Sequence, residues 1–550
     1  MIGCSNDLPE TTPPINNQDK PVTDTTLPWF EDVAHQVGVD FEYYSGSAGN
    51  FYIIETMGGG AALLDFDRDG DLDLYLTQGN VLEGELDPTY TDKLYENDGQ
   101  GLFSDVTQES GIRETSYSIG VATGDYNNDG FVDIYVTNLG RNTLLKNNQD
   151  GTFSDVTIEA GVGGDAFSAC ASFFDSDNDG DLDLFVTNYL DWLPEDEIQC
   201  FSEANRRDYC NPIAYDAPIS DTLYENLGDG KFVDISSSCG IESSQGTGLG
   251  IGVGDINEDG LNDIFVANDG MNDSLWINQG NNQYVDEALI YGCAVDNTGK
   301  MKASMGVEFA DIDNDSDLDL YVSTLFRETD SLFVNHNGVL SDSTARLGLA
   351  ADTRTLTGWA VLFADFNNDS LLDLYEATGR VRWQADQFTD DWLAEPNLLF
   401  QNTGTRFNLV EPLGGTVKPL LYSAHGASVG DINRDGQLDV IVVNKDAPTN
   451  VLLNTGDSGQ LNNWIAFDVR DEHGAPAIGA TIQLTLKSGE VYYKSIQSSS
   501  GYASSNSPHP HFGLGSHSEG VKATVHWTDR SKSTLLDVSP NTLHRIGKIK

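Results

Sequence analysis

The chain has 550 residues, with 29 Lys and Arg against 87 Asp and Glu, a net charge of −58 and 39% hydrophobic residues. So acidic a surface repels nucleic acid and anionic membranes and favours cations as partners. No apolar run approaches the roughly 18 residues of a transmembrane helix, and the length leaves room for more than one domain.

Residues 1–28 are Pro/Thr-rich and polar and read as a flexible tether. Ile2, Gly3 and Cys4 resemble the end of a bacterial lipobox, which implies a secreted or outer-membrane-anchored lipoprotein, although no basic or apolar leader stands before them. Phe30, Glu31, Asp32 and Val33 then form a lone strand-like segment.

Asp65, Asp67, Asp69, Gly70, Asp71 and Asp73 follow, with the apolar run Leu74, Tyr75 and Leu76 close behind. Carboxylates at positions 1, 3 and 5 of a tight loop converge on one point and give a hard cation such as Ca²⁺ the oxygens it requires. Gly70 permits the turn, and Asp73 at position 9 closes the shell. An EF-hand closes with a Glu at position 12 on a helix; here position 12 is Leu76, in a strand-like run.

The pattern returns six times: Asp125, Asn127, Asp129 and Asp133; Asp175, Asp177, Asp179 and Asp183; Asp255, Asn257, Asp259 and Asp263; Asp311, Asp313, Asp315 and Asp319; Asp365, Asn367, Asp369 and Asp373; Asp431, Asn433, Asp435 and Asp439. Seven copies exclude chance and predict up to seven Ca²⁺. Ser316 and Ser370 replace the glycine, and Asn stands at position 3 in four loops, which weakens the expected affinity.

Each unit carries three further echoes. A small-residue strand precedes the loop, as at Ile119 to Gly124; a segment such as Leu94, Tyr95, Glu96 and Asn97 comes later; and a Phe103-to-Val106-like strand ends the unit. Four short strands repeated seven times predict an all-β, seven-bladed propeller over residues 29–458. The seventh unit lacks its last strand and Phe30 to Val33 is an unmatched copy, so the N-terminal strand is expected to complete the last blade and remove an open edge.

These units resemble the FG-GAP/VCBS repeats of integrin-like propellers over about residues 29–455. The resemblance implies calcium in the loop between the first and second strands of each blade. Past this region Ile478 to Ala480, Gly501 to Ser505, His511 to Gly515 and Val525 to Trp527 resemble the ASPIC/UnbV module, with Thr528, Asp529 and Arg530 departing from the usual motif. Residues 459–550 are thus expected to form a small β-rich domain, and the alternation from Thr481 to Leu486 supports this. His509, His511 and His517 have no metal-ligand spacing beside them and read as structural. Cys200 and Cys210 share an insertion that a disulfide could close, whereas the pairing of Cys239 with Cys293 stays open.

In an up-and-down blade the calcium loops all lie on one face. The long insertions 78–92, 188–221 and 377–397 fall on the other. Trp192, Arg206, Arg207, Tyr209, Arg327, Arg380, Arg382, Trp383 and Trp392 concentrate there; Arg and Trp are frequent interface anchors, and they pack insertions equally well. The reading is an extracellular or cell-surface, non-catalytic adhesion, binding or assembly protein whose partner is an extracellular protein or glycan, with self-assembly open. The alternative is a calcium-dependent polysaccharide lyase using His425 and arginines of the insertion face.

Overall fold

The computed structural model describes residues 28–384, 388–456 and 462–548; the lipobox-like Cys4 and nearly all of the tether lie outside them. Among the described residues the fold is all-β. Seven four-stranded antiparallel sheets succeed one another, blade 2 for example comprising Ser118–Gly124, Asp133–Asn138, Thr143–Asn147 and Phe153–Asp155. The innermost strand of each sheet touches those of the next and the last touches the first, so the sheets close into a seven-bladed propeller.

The closure is the one read from the unmatched strand. Phe30–Asp32 pairs antiparallel with Asn450–Asn454 as the outermost strand of blade 7. Deleting residues 29–34 is expected to expose that edge and turn the protein aggregation-prone, checked by soluble yield and light scattering; a monodisperse deletion with the parent's melting temperature would remove the strand from this role.

Small residues on the inner strands have a direct cause. A Cβ on Gly60 would lie 1.8 Å from the Ala503 carbonyl oxygen, and one on Gly306 would lie 1.9 Å from that of Trp359. The backbones approach too closely for any side chain at these two positions.

A second feature ties the blades together. The third strand of every blade ends in Asn: Asn97, Asn147, Asn226, Asn278, Asn335, Asn402 and Asn454. Each donates its side-chain N–H to the position-2 carbonyl of the preceding blade's acidic loop, at 2.7 to 3.4 Å, from Asn147 to Phe66 around to Asn97 and Ile432. Buried amides satisfied in this way make the seams specific as well as apolar.

The C-terminal module has two sheets: His511–Gly515, Asn463–Arg470 and Leu543–Gly547; and Val491–Ser495, Thr481–Thr485, Val521–His526 and Lys532–Val538. Its own core includes Ile465, Phe467, Ile482, Leu484, Val525 and Trp527.

One segment leaves that core. Residues 497–507 run down the axial channel of the propeller. Ser505 donates to Ala61 O and accepts from Leu63, Ala503 accepts from Val121, Gly501 exchanges both backbone hydrogen bonds with Val307, and Gln497 reaches Val253 O. Ser498 bridges Thr123 and Phe173, and Ser428 donates to Ser505 O. At the far end the buried Tyr502 packs edge-on against Trp359 and donates to Met57 O. One plug therefore touches inner strands all around the ring.

Candidate metal loops and docking faces

The acidic loops are built alike. Position 4 is left-handed in all seven, from Arg68 (φ 67°) to Arg434 (φ 60°), and position 6 is left-handed whether Gly or not, Ser316 at φ 84° and Ser370 at φ 77° included. Those two serines adopt the turn that glycine makes freely, at the steric cost an L-residue incurs there. In six loops the N–H groups of positions 5 and 6 both donate to the position-1 carboxylate. The position-9 carboxylate accepts the backbone N–H of the seam asparagine in all seven, at 2.7 to 2.9 Å.

These bonds aim the remaining oxygens at one point. Carboxylate oxygens of Asp65, Asp67 and Asp73 lie within 4.8 Å of one another, as do those of Asp175, Asp177 and Asp183, and of Asp311, Asp313 and Asp319. Burial pushes the position-9 carboxyls up, to about 9 for Asp73, about 8 for Asp319 and about 7 for Asp183 and Asp263. In loop 2, Asn127 Oδ1 and Asp129 Oδ2 are buried and accept no hydrogen bond, the Lys146 ammonium lying 3.8 Å from the latter, and Asp373 Oδ2 in loop 6 is likewise unbonded. Orphan oxygens of carboxylate and amide type fit a hard, oxygen-seeking cation.

The loop face is also where the C-terminal module docks. That module carries 9 Lys and Arg against 7 Asp and Glu over residues 459–550, so the rest of the chain holds 29 − 9 = 20 against 87 − 7 = 80; a near-neutral body meets a strongly acidic one. Arg470 donates to Asp65 Oδ2 at 2.7 Å and pairs with Asp468, which Arg545 also holds. His511 contacts Gly436 O and is stacked on Trp464, and Ser370 Oγ donates to Gly513 O. The histidines are thus part of the packing: burial lowers His509 to about 4 and His511 to about 3.

On the opposite face the insertions pack on one another. Cys200 and Cys210 form a disulfide, while Cys170, Cys239 and Cys293 are free and buried. Two of the residues proposed for ligand contact are interior instead. Trp192 is 3% exposed, against Tyr52 and Phe167; Arg380 is 2% exposed, ion-paired with Glu395 at 2.8 Å. They fasten the insertions. Tyr209 is buried too and donates to Glu55, and Trp392 stacks on it.

The others stay accessible to different degrees. Arg206 is exposed over the Trp383 ring, Arg327 is exposed, and Arg207, Arg382 and Trp383 are half-buried. Arg207 is committed to the carbonyls of Asn50, Ile198 and Cys200. His425 is fully buried at the base of the channel, against Trp359, and burial lowers it to about 3.

Sequence reasoning passed over Arg470, the plug and the seam asparagines. The asparagines had a signal, since the residue recurs in each unit's third strand; Arg470 had none, and the motif from Gly501 to Ser505 gave no sign of its place in the channel, because their propeller partners lie hundreds of residues away.

The chain carries FG-GAP-like repeats followed by an ASPIC and UnbV domain. The repeat model matches residues 65–136, 125–186 and 255–322, and the ASPIC and UnbV model matches 471–550. It is homologous to cartilage acidic protein 1: 28% identical over 327 residues to the Xenopus tropicalis protein (56% of this chain, 46% of that one) and 28% over 304 residues to the Mus musculus protein (54% and 44%). The match thus spans under half the length of these relatives.

Two solved structures resemble the fold. One, described as an Agrocybe aegerita lectin recognising non-reducing terminal N-acetylglucosamine, is 13% identical at a TM-score of 0.39, covering 71% of this chain and 87% of that one. The other, YCF48 bound to D1 peptide, is 8% identical at a TM-score of 0.41, covering 73% and 92%. No function is taken from either.

Proposed function

We propose that this chain is an extracellular calcium-binding propeller acting as a non-catalytic binding or assembly module. The observation that carries the reading is the convergence of carboxylates in the loops of blades 1, 3 and 5, together with buried loop acceptors in blades 2 and 6 that accept no hydrogen bond. The aspartate and asparagine oxygens of each loop would hold the ion, and the ion would supply charge neutralisation and rigidity there. A rigid ring then presents unequal loops to a partner. The Cys200–Cys210 bridge fits an oxidising compartment, and the kinship with cartilage acidic protein 1 agrees with an extracellular setting. The partner is an extracellular protein or a glycan.

A lyase-like enzyme would need His425 as its base, and that ring is fully buried against Trp359. The non-catalytic reading is therefore preferred. The test is metal content by elemental analysis after dialysis against calcium, with a turnover screen on uronate-containing and sulfated glycans with and without EDTA. The expected result is several calcium ions per chain and no turnover. A metal-free protein would overturn the calcium assignment, and EDTA-sensitive depolymerisation would overturn the non-catalytic one.

A further inference from the structure

Loops 1 and 3 are a matched pair. Residues 65–73 and 175–183 are identical at positions 1, 3 and 5 to 9, and differ only at positions 2 and 4, Phe66 and Arg68 against Ser176 and Asn178. In both, the carboxylates of positions 1, 3 and 9 lie within 4.8 Å of one another. By ligand type and number the two loops should hold calcium equally well.

Their surroundings differ. Loop 3 is self-contained: the N–H groups of Asp179 and Gly180 both donate to Asp175, at 3.1 Å each. A Cβ on Gly180 would meet nothing within 4 Å, and among the described residues no Lys, Arg or His pairs with a carboxylate of this loop.

Loop 1 is closed over by guanidinium groups. Arg470 Nη2 donates to Asp65 Oδ2 at 2.7 Å, both side chains being buried. The Gly70 N–H reaches Asp65 Oδ1 only at 3.3 Å, and the Asp69 N–H goes to Asp67 instead. An arginine of the module thus takes the oxygen that the loop's own N–H groups hold elsewhere. A Cβ on Gly70 would lie 3.1 Å from Arg545 Nη2 and 3.5 Å from Arg434 Nη2, and Arg434 Nη2 is 4.0 Å from Asp71 Oδ2. The carboxylate of Asp468 is shared by Arg470 and Arg545, so three guanidinium groups meet the loop with one carboxylate from outside it between them. Arg68, the loop's own arginine, points away over the Phe131 ring.

A calcium ion entering loop 1 must share Asp65 with Arg470 and sit beside like charge, and the ion in loop 3 meets neither condition. We propose that the docked module, through Arg470 and Arg545 and with the help of Arg434, makes loop 1 a weaker calcium site than its twin loop 3, and that filling loop 1 loosens the joint between the two bodies. The inference rests on the calcium reading and adds regulation to it. The coupling is reciprocal: a docked module that weakens calcium binding is itself loosened by bound calcium to the same extent. The ring is then filled and made rigid at low calcium, and the joint is released at higher calcium.

The experiment is a calcium titration of the full, EDTA-stripped chain against a competing chelator dye, with D67N/D69N to disable loop 1 and D177N/D179N to disable loop 3, none of the four residues being buried. D67N/D69N is expected to remove an ion from the weaker phase and D177N/D179N one from the tighter phase, the two loops differing roughly tenfold or more in affinity. R434Q/R545Q alters side chains 43% and 60% exposed. It should tighten loop 1 by about threefold or more and change nothing in the D67N/D69N background. R470M should act in the same direction, but it strands Asp468 and can undock the module, so the decision rests on R434Q/R545Q. Amide hydrogen exchange at residues 471–475 should quicken as the weaker phase fills, and should stay constant in D67N/D69N. Loss of the loop 1 ion from the tighter phase, an affinity of R434Q/R545Q equal to or below the parent's, or exchange unchanged across the weaker phase would each overturn the proposal. A chain free of calcium by elemental analysis would overturn the earlier reading and this one with it, whereas a calcium-loaded chain in which loops 1 and 3 bind alike would overturn this one alone.

Discussion

Chelating calcium is expected to lower the melting temperature of the full chain by on the order of 10 °C or more. A site filled at a hundred times its dissociation constant contributes about 2.7 kcal/mol, and the ring has seven loops of one construction. Each buries its position-9 carboxylate: Asp73, Asp133, Asp183, Asp263, Asp319, Asp373 and Asp439 are all interior. A differential scan with and without EDTA checks this, and coincident curves would remove metal from the fold.

The chelated form should also respond to pH in a defined direction. Burial raises the folded-state values to about 9 for Asp73, about 8 for Asp319 and about 7 for Asp183 and Asp263. A carboxyl raised in the folded state favours folding fully below its unfolded value of about 3.9 and loses that contribution as pH rises through the folded values. The chelated protein should therefore melt higher at mildly acidic pH than at alkaline pH. Added calcium should reverse the trend, because a cation must displace those protons to bind.

The second large effect concerns the plug. Tyr502→Ala removes a buried ring packed edge-on against Trp359, and large aromatic truncations in cores cost about 3–5 kcal/mol. Gly60→Ala tests the same contact from the other side, since the new methyl would collide with the Ala503 carbonyl while leaving the module's own core untouched. Both variants should melt lower and become sensitive to proteolysis within residues 497–507. If either kept the parent's melting temperature and resistance, the plug would contribute nothing to stability.

Much of the architecture could be read along the chain because its signals are local. The loop spacing, the alternation of strands such as Thr481–Thr485 and the unpaired copy at Phe30 each sit within a few residues, and together they give the blade count and the closing strand. The plug could not be read: apart from Tyr502, Gly501 to Ser505 carries only small side chains, and its bonds run to residues such as Ala61 and Val307, far away in sequence. Composition misassigned two residues on the insertion face. Arg380 and Trp192 have the chemistry of interface anchors, but identity alone does not tell a guanidinium facing solvent from one closed over Glu395. The seam asparagines were visible as a recurrence, and their role emerged only once each third strand lay beside the preceding loop.

The seam bonds have a consequence for chain order. Asn97 joins blade 1 to blade 7 through Ile432 by the same bond that Asn147 makes to Phe66 between consecutive blades. The two ends of the propeller segment also lie side by side, with Thr455 N–H donating to Trp29 O and its hydroxyl to Pro28 O. Physically the ring has no first blade. A circular permutant that joined these neighbouring ends and opened the chain at a surface turn between two other blades would retain every seam, and only the C-terminal module would need a new point of attachment from which its plug could still enter the channel.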